Sequence, residues 1–458
     1  MTRYCFSLLL GVTTLAAQPV DTLITGRYVV TMDGARRVIE NGAMAVRGGE
    51  IVAVGPVGEM ARKHPAKQRV DRPRAILAPG LINTHCHAPM TLMRGIADDL
   101  RLQDWLEKFI FPAEGKNVTA EFVRWGTRLA VWEMMRSGIT AYADMYYFEE
   151  LVAEETKRAG MRGVLGQTII RFPVPDAQTP ELGLERAERF LKRYQNDSLI
   201  VPAVAPHAPY TNSDAMLQAA RRLADQYRVP LITHVSETKR ENEDSEREFG
   251  MSPMQRLERL GILKGPTLIA HAVWMSDEDL RIAARSRVGI AHNPSSNMKL
   301  ASGVARVLDM LKLDLAVGLG TDGPAGSNND LNLFEEMDLA AKLQKVTTMD
   351  PRSLSAEQVF EMATIRGARA LGMAQKTGSL EVGKRADVIV VSLDEPHATP
   401  IFNVYSQLVY ALKASDVRDV MIDGRWVMRD RQMLTLQTEE IRREVERLRS
   451  QIAASVRP

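Results

Sequence analysis

The stretch PGLINTHCHAPMT, residues 79–91, decides how this chain is read. An apolar lead of Ile76, Leu77, Leu81 and Ile82 runs into His85 and His87, with only Cys86 between them. Such a run reads as a buried strand whose C-terminal end carries side chains into a site. Residues two apart on a strand face the same side, so both imidazoles enter one space and Cys86 faces the other. Two neutral imidazoles make half of a divalent-metal site. Zinc is the commonest fit for nitrogen-rich sites, with Fe2+ and Mn2+ as alternatives. A lone H-x-H is a weak signal, and it gains weight only from polar residues placed later in the chain.

Outward from that stretch, residues 77–375 read as eight apolar strands separated by helical segments. The strands end at NTHCH (83–87), AYADM (141–145), GQTII (166–170), VAPH (204–207), ITHVSE (232–237), IAHAVW (269–274), IAHNPSSN (290–297) and GLGTDG (318–323). The pattern predicts an α/β chain with a (β/α)8 TIM-type barrel and a long helical insertion after the first strand. In that fold the site assembles at the C-terminal ends of the strands. Of the eight histidines, only His64 and His397 fall outside those ends.

Both flanks have a different texture. Residues 21–76 and 376–431 alternate β-branched residues with Gly- and Asp-containing turns, which predicts one small β-sandwich built from both chain ends. Residues 432–458 read as a charged amphipathic helix with a solvated face. Residues 1–20, with Arg3 ahead of an apolar run from Phe6 to Ala17, read as a secretory signal peptide. Cleavage there implies a periplasmic or secreted protein, and retention a cytoplasmic one. That run is too short to span a membrane, and no other stretch qualifies.

A hydrophobic content of 45% and a charged content of 25% suit a globular chain with a full core. The net charge of +2 gives no reason to expect nucleic acid or an acidic membrane as partner. With Cys5 and Cys86 as the only cysteines, there is no disulfide framework. The same count excludes the zinc deaminases that carry a P-C-x-x-C signature.

The strand ends then supply a set. His85, His87 and His234 with Asp322 make three imidazoles and one carboxylate, a sound ligand set for one divalent metal with room for water. A bound metal lowers the pKa of that water to about 7. Glu237, three residues past His234, is placed to carry a proton between the water and a ring nitrogen. His271 can accept a proton from the water or orient it, and Asp322 can ligate and act as base.

The series PGLINTHCHAPMTLMRG, FPAE, PHAPYT, THVSE, AHAVW, HNPSSNMKLASG and GTDGPAGSNN resembles the amidohydrolase superfamily. Within it, the chain is similar to the S-adenosylhomocysteine/5-methylthioadenosine deaminase branch, related to the chlorohydrolases and guanine deaminases. The resemblance runs from Asp21 to about Arg431 in matching order. It implies a mononuclear zinc or iron site of His85, His87, His234 and Asp322, with Glu237 and His271 catalytic. It further implies that Glu114 holds ribose hydroxyls, that His207 contacts the purine or ribose, and that Trp105 lines the pocket. An arginine reaching the distal part of the substrate is expected between strands three and four. Arg186 is the first choice and Arg171 the alternative. Binuclear members of the superfamily bridge two metals with a modified lysine at the end of strand four. LIVPAVAPH has no lysine there, which argues for one metal per chain.

The expected reaction is aminohydrolysis of a cyclic amidine: S-adenosylhomocysteine or 5′-methylthioadenosine plus water gives the inosine analogue plus ammonia. One alternative is a free base such as guanine, or a triazine-type amino- or chlorohydrolase reaction. Another, of a different class, is a non-catalytic metal-binding barrel. The partner is a small-molecule substrate, and barrel enzymes of this kind are commonly homo-oligomers.

Overall fold

The computed structural model describes residues 19–455. Its centre is a closed barrel of eight parallel strands: β5 (Leu81–Cys86), β6 (Ile139–Tyr146), β7 (Arg162–Ile169), β8 (Ile200–Pro206), β9 (Leu231–Val235), β10 (Thr267–His271), β11 (Gly289–His292) and β12 (Ala316–Leu319). β12 pairs with β5 through Leu319 and Asn83, which closes the ring. Covered by helices outside and side chains inside, these strands are apolar nearly throughout rather than alternating. Every residue of β6 and β7 is buried. The interior is filled by Ile82, Ala141, Ala143, Val164, Ile232 and Leu268, and closed from below by Ala368, Leu371 and Met373. All eight strand ends expected from the sequence are strands here, and the long helical insertion lies between β5 and β6.

The chain ends form one eight-stranded mixed sheet. Its strands are β1 (Val20–Val30), β2 (Val38–Arg47), β3 (Glu50–Pro56) and β4 (Ala66–Pro79) from the N-terminal part, with β13 (Val388–Ser392), β14 (Val417–Ile422), β15 (Arg425–Arg429) and β16 (Gln432–Met433) from the C-terminal part. The order is β16-β15-β14-β13-β4-β1-β2-β3, so β4 and β13 seam the two halves. Alternation along these strands sends Ile76, Ala78, Ile389 and Val391 toward the barrel-side core. It sends Ala75, Leu77, Val388 and Val390 into a second cluster on the other face. Only Gly80 separates β4 from β5. A Cβ there would sit 2.1 Å from the Thr140 hydroxyl, so the hand-over from sheet to barrel needs glycine. Arg162, 2% exposed, donates at 2.9 and 3.1 Å to the two oxygens of Asp387 and ties β7 to this sheet.

The helix Thr438–Ser455 is less solvated than its charge suggests. Ile441, Leu448 and Ile452 are buried, and the helix lies along the helix Ala120–Arg136. Arg442 covers the Trp132 ring at 4.8 Å. The N-terminal stretch read as a signal peptide lies, but for residues 19 and 20, outside the described residues. No helix among the described residues is long and apolar enough to cross a membrane.

Candidate active site

Strand ends bring His85, His87, His234 and Asp322 together so that one ligand atom of each lies within 4.8 Å of every other. The Nε2 atoms of His85 and His87 are each 3.3 Å from Asp322 Oδ1. Backbone carbonyls choose the ring orientation. His87 Nδ1 meets the Met145 carbonyl at 2.7 Å and His234 Nδ1 meets the His207 carbonyl at 2.7 Å. With Nδ1–H donating, Nε2 keeps its lone pair for the common space. His85 Nε2 is fully buried and has no hydrogen-bond partner. An orphaned imidazole nitrogen beside two oriented imidazoles and a carboxylate fits a single divalent cation. Gly320 lets the β12 end approach this set: a Cβ there would be 2.3 Å from Asn293 Oδ1 and 3.0 Å from the His85 backbone.

Without an ion, burial and the Asp322 charge pull the imidazoles of the set in opposite directions. Burial lowers the pKa of His85 to about 4 and holds His234 well below its usual value. For His87, burial also favours the neutral ring, but the nearby Asp322 carboxylate outweighs it and raises the group to about 9. For Asp322 itself the largest influence is again burial, which opposes ionisation. The adjoining His85 and His87 imidazoles overcome it and hold the carboxyl well below the usual range.

Glu237 and His271 stand beside this set. His271 Nε2 is 3.7 Å from Glu237 Oε2 and 4.0 Å from Asp322 Oδ2. Burial raises the Glu237 carboxyl to about 6, and its Oε1 is buried without a partner. The Glu241 carboxylate accepts from the backbone N–H groups of Ser236 at 2.9 Å and Glu237 at 2.8 Å, fixing the turn that presents Glu237. Three of these strand ends carry positive φ on non-glycine residues: Ser236 at 54°, His271 at 72° and Asp322 at 61°. Conformations of that kind cost of order 1–3 kcal/mol each and gather where geometry matters more than stability. Hydrogen bonds such as Trp274 N–H to the Ser236 carbonyl at 2.9 Å and Asp322 N–H to the His85 carbonyl at 3.0 Å hold them.

A cavity opens above this floor. Its upper wall comes from the insertion after β5: Leu102, Trp105, Leu106, Ile110, Phe111 and Glu114. The turn Trp105–Ile110 is of the wide π type and leads directly into the helix Phe111–Asn117. Trp105 is 5% exposed and donates from Nε1 to the Ala325 carbonyl at 2.9 Å, which pins the wall to the loop after Asp322. Glu114 Oε1 accepts from the Tyr146 hydroxyl at 2.7 Å and Oε2 from the Tyr147 hydroxyl at 3.4 Å. Burial, working against those hydrogen bonds, raises Glu114 to about 7. His207 lines the same cavity, with Nδ1 3.1 Å from Thr211 Oγ1 and its pKa lowered by burial to about 3.

Arg186, the first choice for the distal arginine, is absent from the site. It is paired with Glu150 at 2.5 Å and Asp176 at 3.1 Å, over the Phe148 ring, and does not line the cavity. Cys86 faces away from its neighbours, as alternation requires, with Sγ 3.4 Å from Asp144 Oδ1. Sequence reasoning passed over Tyr146, Tyr147, Glu241, Ser296 and Asn297. The last two lie within the quoted HNPSSN, where Ser296 donates to Asp322 Oδ2 at 2.6 Å and Asn297 Oδ1 meets His271 Nδ1 at 3.0 Å.

The Amidohydrolase family matches residues 76–427, and an imidazolonepropionase-like composite domain of bacteria matches residues 42–66. The chain is 47% identical over 439 residues to the 5-methylthioadenosine/S-adenosylhomocysteine deaminase of Syntrophobacter fumaroxidans, covering 96% of this chain and 99% of that one. It is 40% identical over 438 residues to the 5′-deoxyadenosine deaminase of Methanosarcina mazei, covering 95% and 99%. Among solved structures, an adenosine deaminase from Xanthomonas campestris with bound zinc superposes with a TM-score of 0.93 at 38% identity, covering 95% of this chain and 99% of that one.

Proposed function

The chain belongs to the amidohydrolase family, and on that premise we propose that it deaminates 5′-substituted adenosines, 5′-methylthioadenosine and S-adenosylhomocysteine foremost. It is a hydrolase of C–N bonds in cyclic amidines: the 6-amino group leaves as ammonia, and the ring keeps an oxygen from water. The observation that carries this reading is that Glu237 and His271 meet the three-histidine, one-aspartate set at the floor of a cavity whose wall holds Glu114.

His85, His87, His234 and Asp322 would hold a divalent ion, which we take to be zinc, and that ion would supply Lewis acidity toward water. The chain's own groups do the rest. Glu237 holds a proton for the purine ring nitrogen next to the reacting carbon, since its carboxyl lies at the floor and faces the cavity. His271 and Asp322, adjacent at the floor, would be the groups that accept the proton of the attacking water. Tyr146 and Tyr147 fix the Glu114 carboxylate, leaving a lone pair on each oxygen to accept from ribose hydroxyls. His207, which lines the same cavity, orients the nucleoside. The insertion's apolar side chains surround the 5′ substituent and exclude water.

A second reading, a free base such as guanine, is disfavoured by Glu114, which would then have no hydroxyl to hold. Ammonia release from S-adenosylhomocysteine, 5′-methylthioadenosine, adenosine and guanine, measured side by side on metal-replete protein, decides between them. Turnover of the nucleosides alone is expected, and turnover of guanine alone overturns the proposal. Export and homo-oligomerisation belong to the same proposal. Sequencing of the mature N-terminus and light scattering test them.

A further inference from the structure

The floor of the site contains a contact that the proposed reaction uses but does not explain. After β11 the chain enters a short helix, Pro294–Lys299, whose first turn lies against two groups of the site. Ser296 and Asn297 are both 0% exposed. Ser296 Oγ donates to Asp322 Oδ2, which leaves Oδ1 to face His85 and His87. Asn297 Oδ1 lies 3.0 Å from Nδ1 of His271.

We propose that Asn297 is a positioning residue: its side-chain oxygen holds His271 as the Nδ1–H tautomer, so that Nε2 meets the attacking water as a bare proton acceptor. This rests on the deaminase reading for its consequence, although the tautomer itself does not depend on it. An amide oxygen can only accept, so a hydrogen bond to it puts the proton on Nδ1, and a neutral imidazole then has no proton on Nε2. The opposite tautomer finds no acceptor for its proton among the described protein groups. The carboxylate oxygens nearest Nε2 are at 3.7 and 4.0 Å, beyond hydrogen-bond reach, whereas Nδ1 has an acceptor at 3.0 Å. The competing contact, Asn293 Nδ2 to Nδ1, is longer at 3.4 Å.

The turn is itself held in place. Glu336, buried at 0% exposure, accepts from Ser295 N–H at 3.0 Å and from Asn328 Nδ2 at 3.0 Å. His271, with φ of 72°, is fixed by its own strand end. Two rigid supports therefore meet across one hydrogen bond. When His271 takes a proton from the water it becomes a cation with Nδ1–H still bound to Asn297. The proton moves to Nε2, and no other bond of the pair changes.

The test is nitrogen-15 NMR of histidine-labelled protein, with the His271 signals assigned from a His271→Asn variant. The wild type is expected to show His271 with a protonated Nδ1 and an unprotonated Nε2. Asn297→Leu should lose that pattern and roughly 10–100-fold in kcat, the usual cost of removing such a partner, with KM and metal content unchanged. Asn297→Asp keeps the acceptor, and should keep both the pattern and most of the rate. An unprotonated Nδ1 in the wild type overturns the proposal. So does wild-type rate in Asn297→Leu, or equal loss in both variants with the nitrogen pattern intact. Should the leucine variant fail to fold, the wild-type and Asn297→Asp spectra decide. A wild type inactive on every nucleoside would sink the deaminase reading and leave the tautomer result standing.

Discussion

The floor and the roof of the cavity are built by different rules. The floor consists of side chains on or just past barrel strand ends, oriented by specific hydrogen bonds: Nδ1 of His87 and His234 to carbonyls, Asp322 to Ser296, and His271 to Asn297. Its backbone is strained at Ser236, His271 and Asp322, and the surrounding ladder holds it there. The roof is one insertion between β5 and β6, mostly apolar, with Glu114 as the carboxylate it brings to the cavity. Rigid strands carry the chemistry, which is intolerant of small displacements, and a connecting segment carries the shape that selects the substrate. The two halves should therefore fail differently when altered.

Damage to the floor should be the larger. Glu237→Gln keeps the shape of the side chain and the ligand set, but cannot carry a proton. General acid–base catalysis is worth about 10²–10⁴-fold, so kcat should fall by about that factor for every substrate alike. Metal content by elemental analysis should remain at the wild-type level, and KM should change little. Activity that persists in Glu237→Gln would mean that the proton passes through another group. Chelation should abolish turnover in both proteins and lower the melting temperature, because the buried His85 nitrogen then has no partner.

That difference also explains what could be read in advance. A polar residue at the end of an apolar run is a local pattern, so His85, His87, His234, His271 and Asp322 were visible one strand at a time. Glu237 was visible because it follows His234 on the same turn. Tyr146, Tyr147, Ser296 and Asn297 act on partners from other β/α units, and only closure of the barrel sets those contacts. Arg186 failed for the converse reason. Its reach is set by Glu150 and Asp176, which hold it outside the cavity, and nothing in the helix pattern announces that pairing. The meeting of β4 and β13 in one sheet was likewise beyond a reading of two separate flanks, although their shared origin in one domain was not.

In the roof, Glu114→Gln should act on binding. A hydrogen bond to a charged group is worth about 1.5–3 kcal/mol, so KM for nucleosides should rise about tenfold to a hundredfold while kcat falls far less. The variant should also lose a pH dependence. Burial raises Glu114 to about 7, so the carboxylate that accepts from ribose is depleted as the pH drops through 7. Wild-type KM should therefore rise on acidification, and the glutamine variant's should stay level. The same shift affects stability with the opposite sense. A buried acid raised above its unfolded value of 4.5 costs nothing while both states are protonated, and its penalty grows as the pH climbs from 4.5 through 7. Melting temperatures across that window should vary less with pH for Glu114→Gln than for the wild type. A KM unaffected by the substitution would remove Glu114 from ribose recognition and reopen the free-base reading.

The smallest expected effect concerns the rim, where the two arginines can be told apart. S-adenosylhomocysteine differs from 5′-methylthioadenosine by a charged amino-acid tail, and among the described residues no lysine or arginine lines the cavity itself. Arg186 neutralises Asp176, whose side chain is fully buried, and is tied to Glu150 as well. Removing it leaves an uncompensated acid, so Arg186→Ala should lower the melting temperature without altering the ratio of kcat/KM for the two substrates. Arg171 is exposed and precedes Phe172, whose ring packs against Phe111 of the cavity wall at 5.3 Å. A solvent-exposed ion pair is worth about 0.2–1 kcal/mol. Arg171→Ala should therefore reduce kcat/KM for S-adenosylhomocysteine by a factor of roughly 1.5 to 5, and leave 5′-methylthioadenosine unchanged. If instead Arg186→Ala moves that ratio and Arg171→Ala does not, the helix carrying Arg186 must swing toward the cavity when substrate binds. The rim would then share the adaptability of the roof rather than the fixed geometry of the floor.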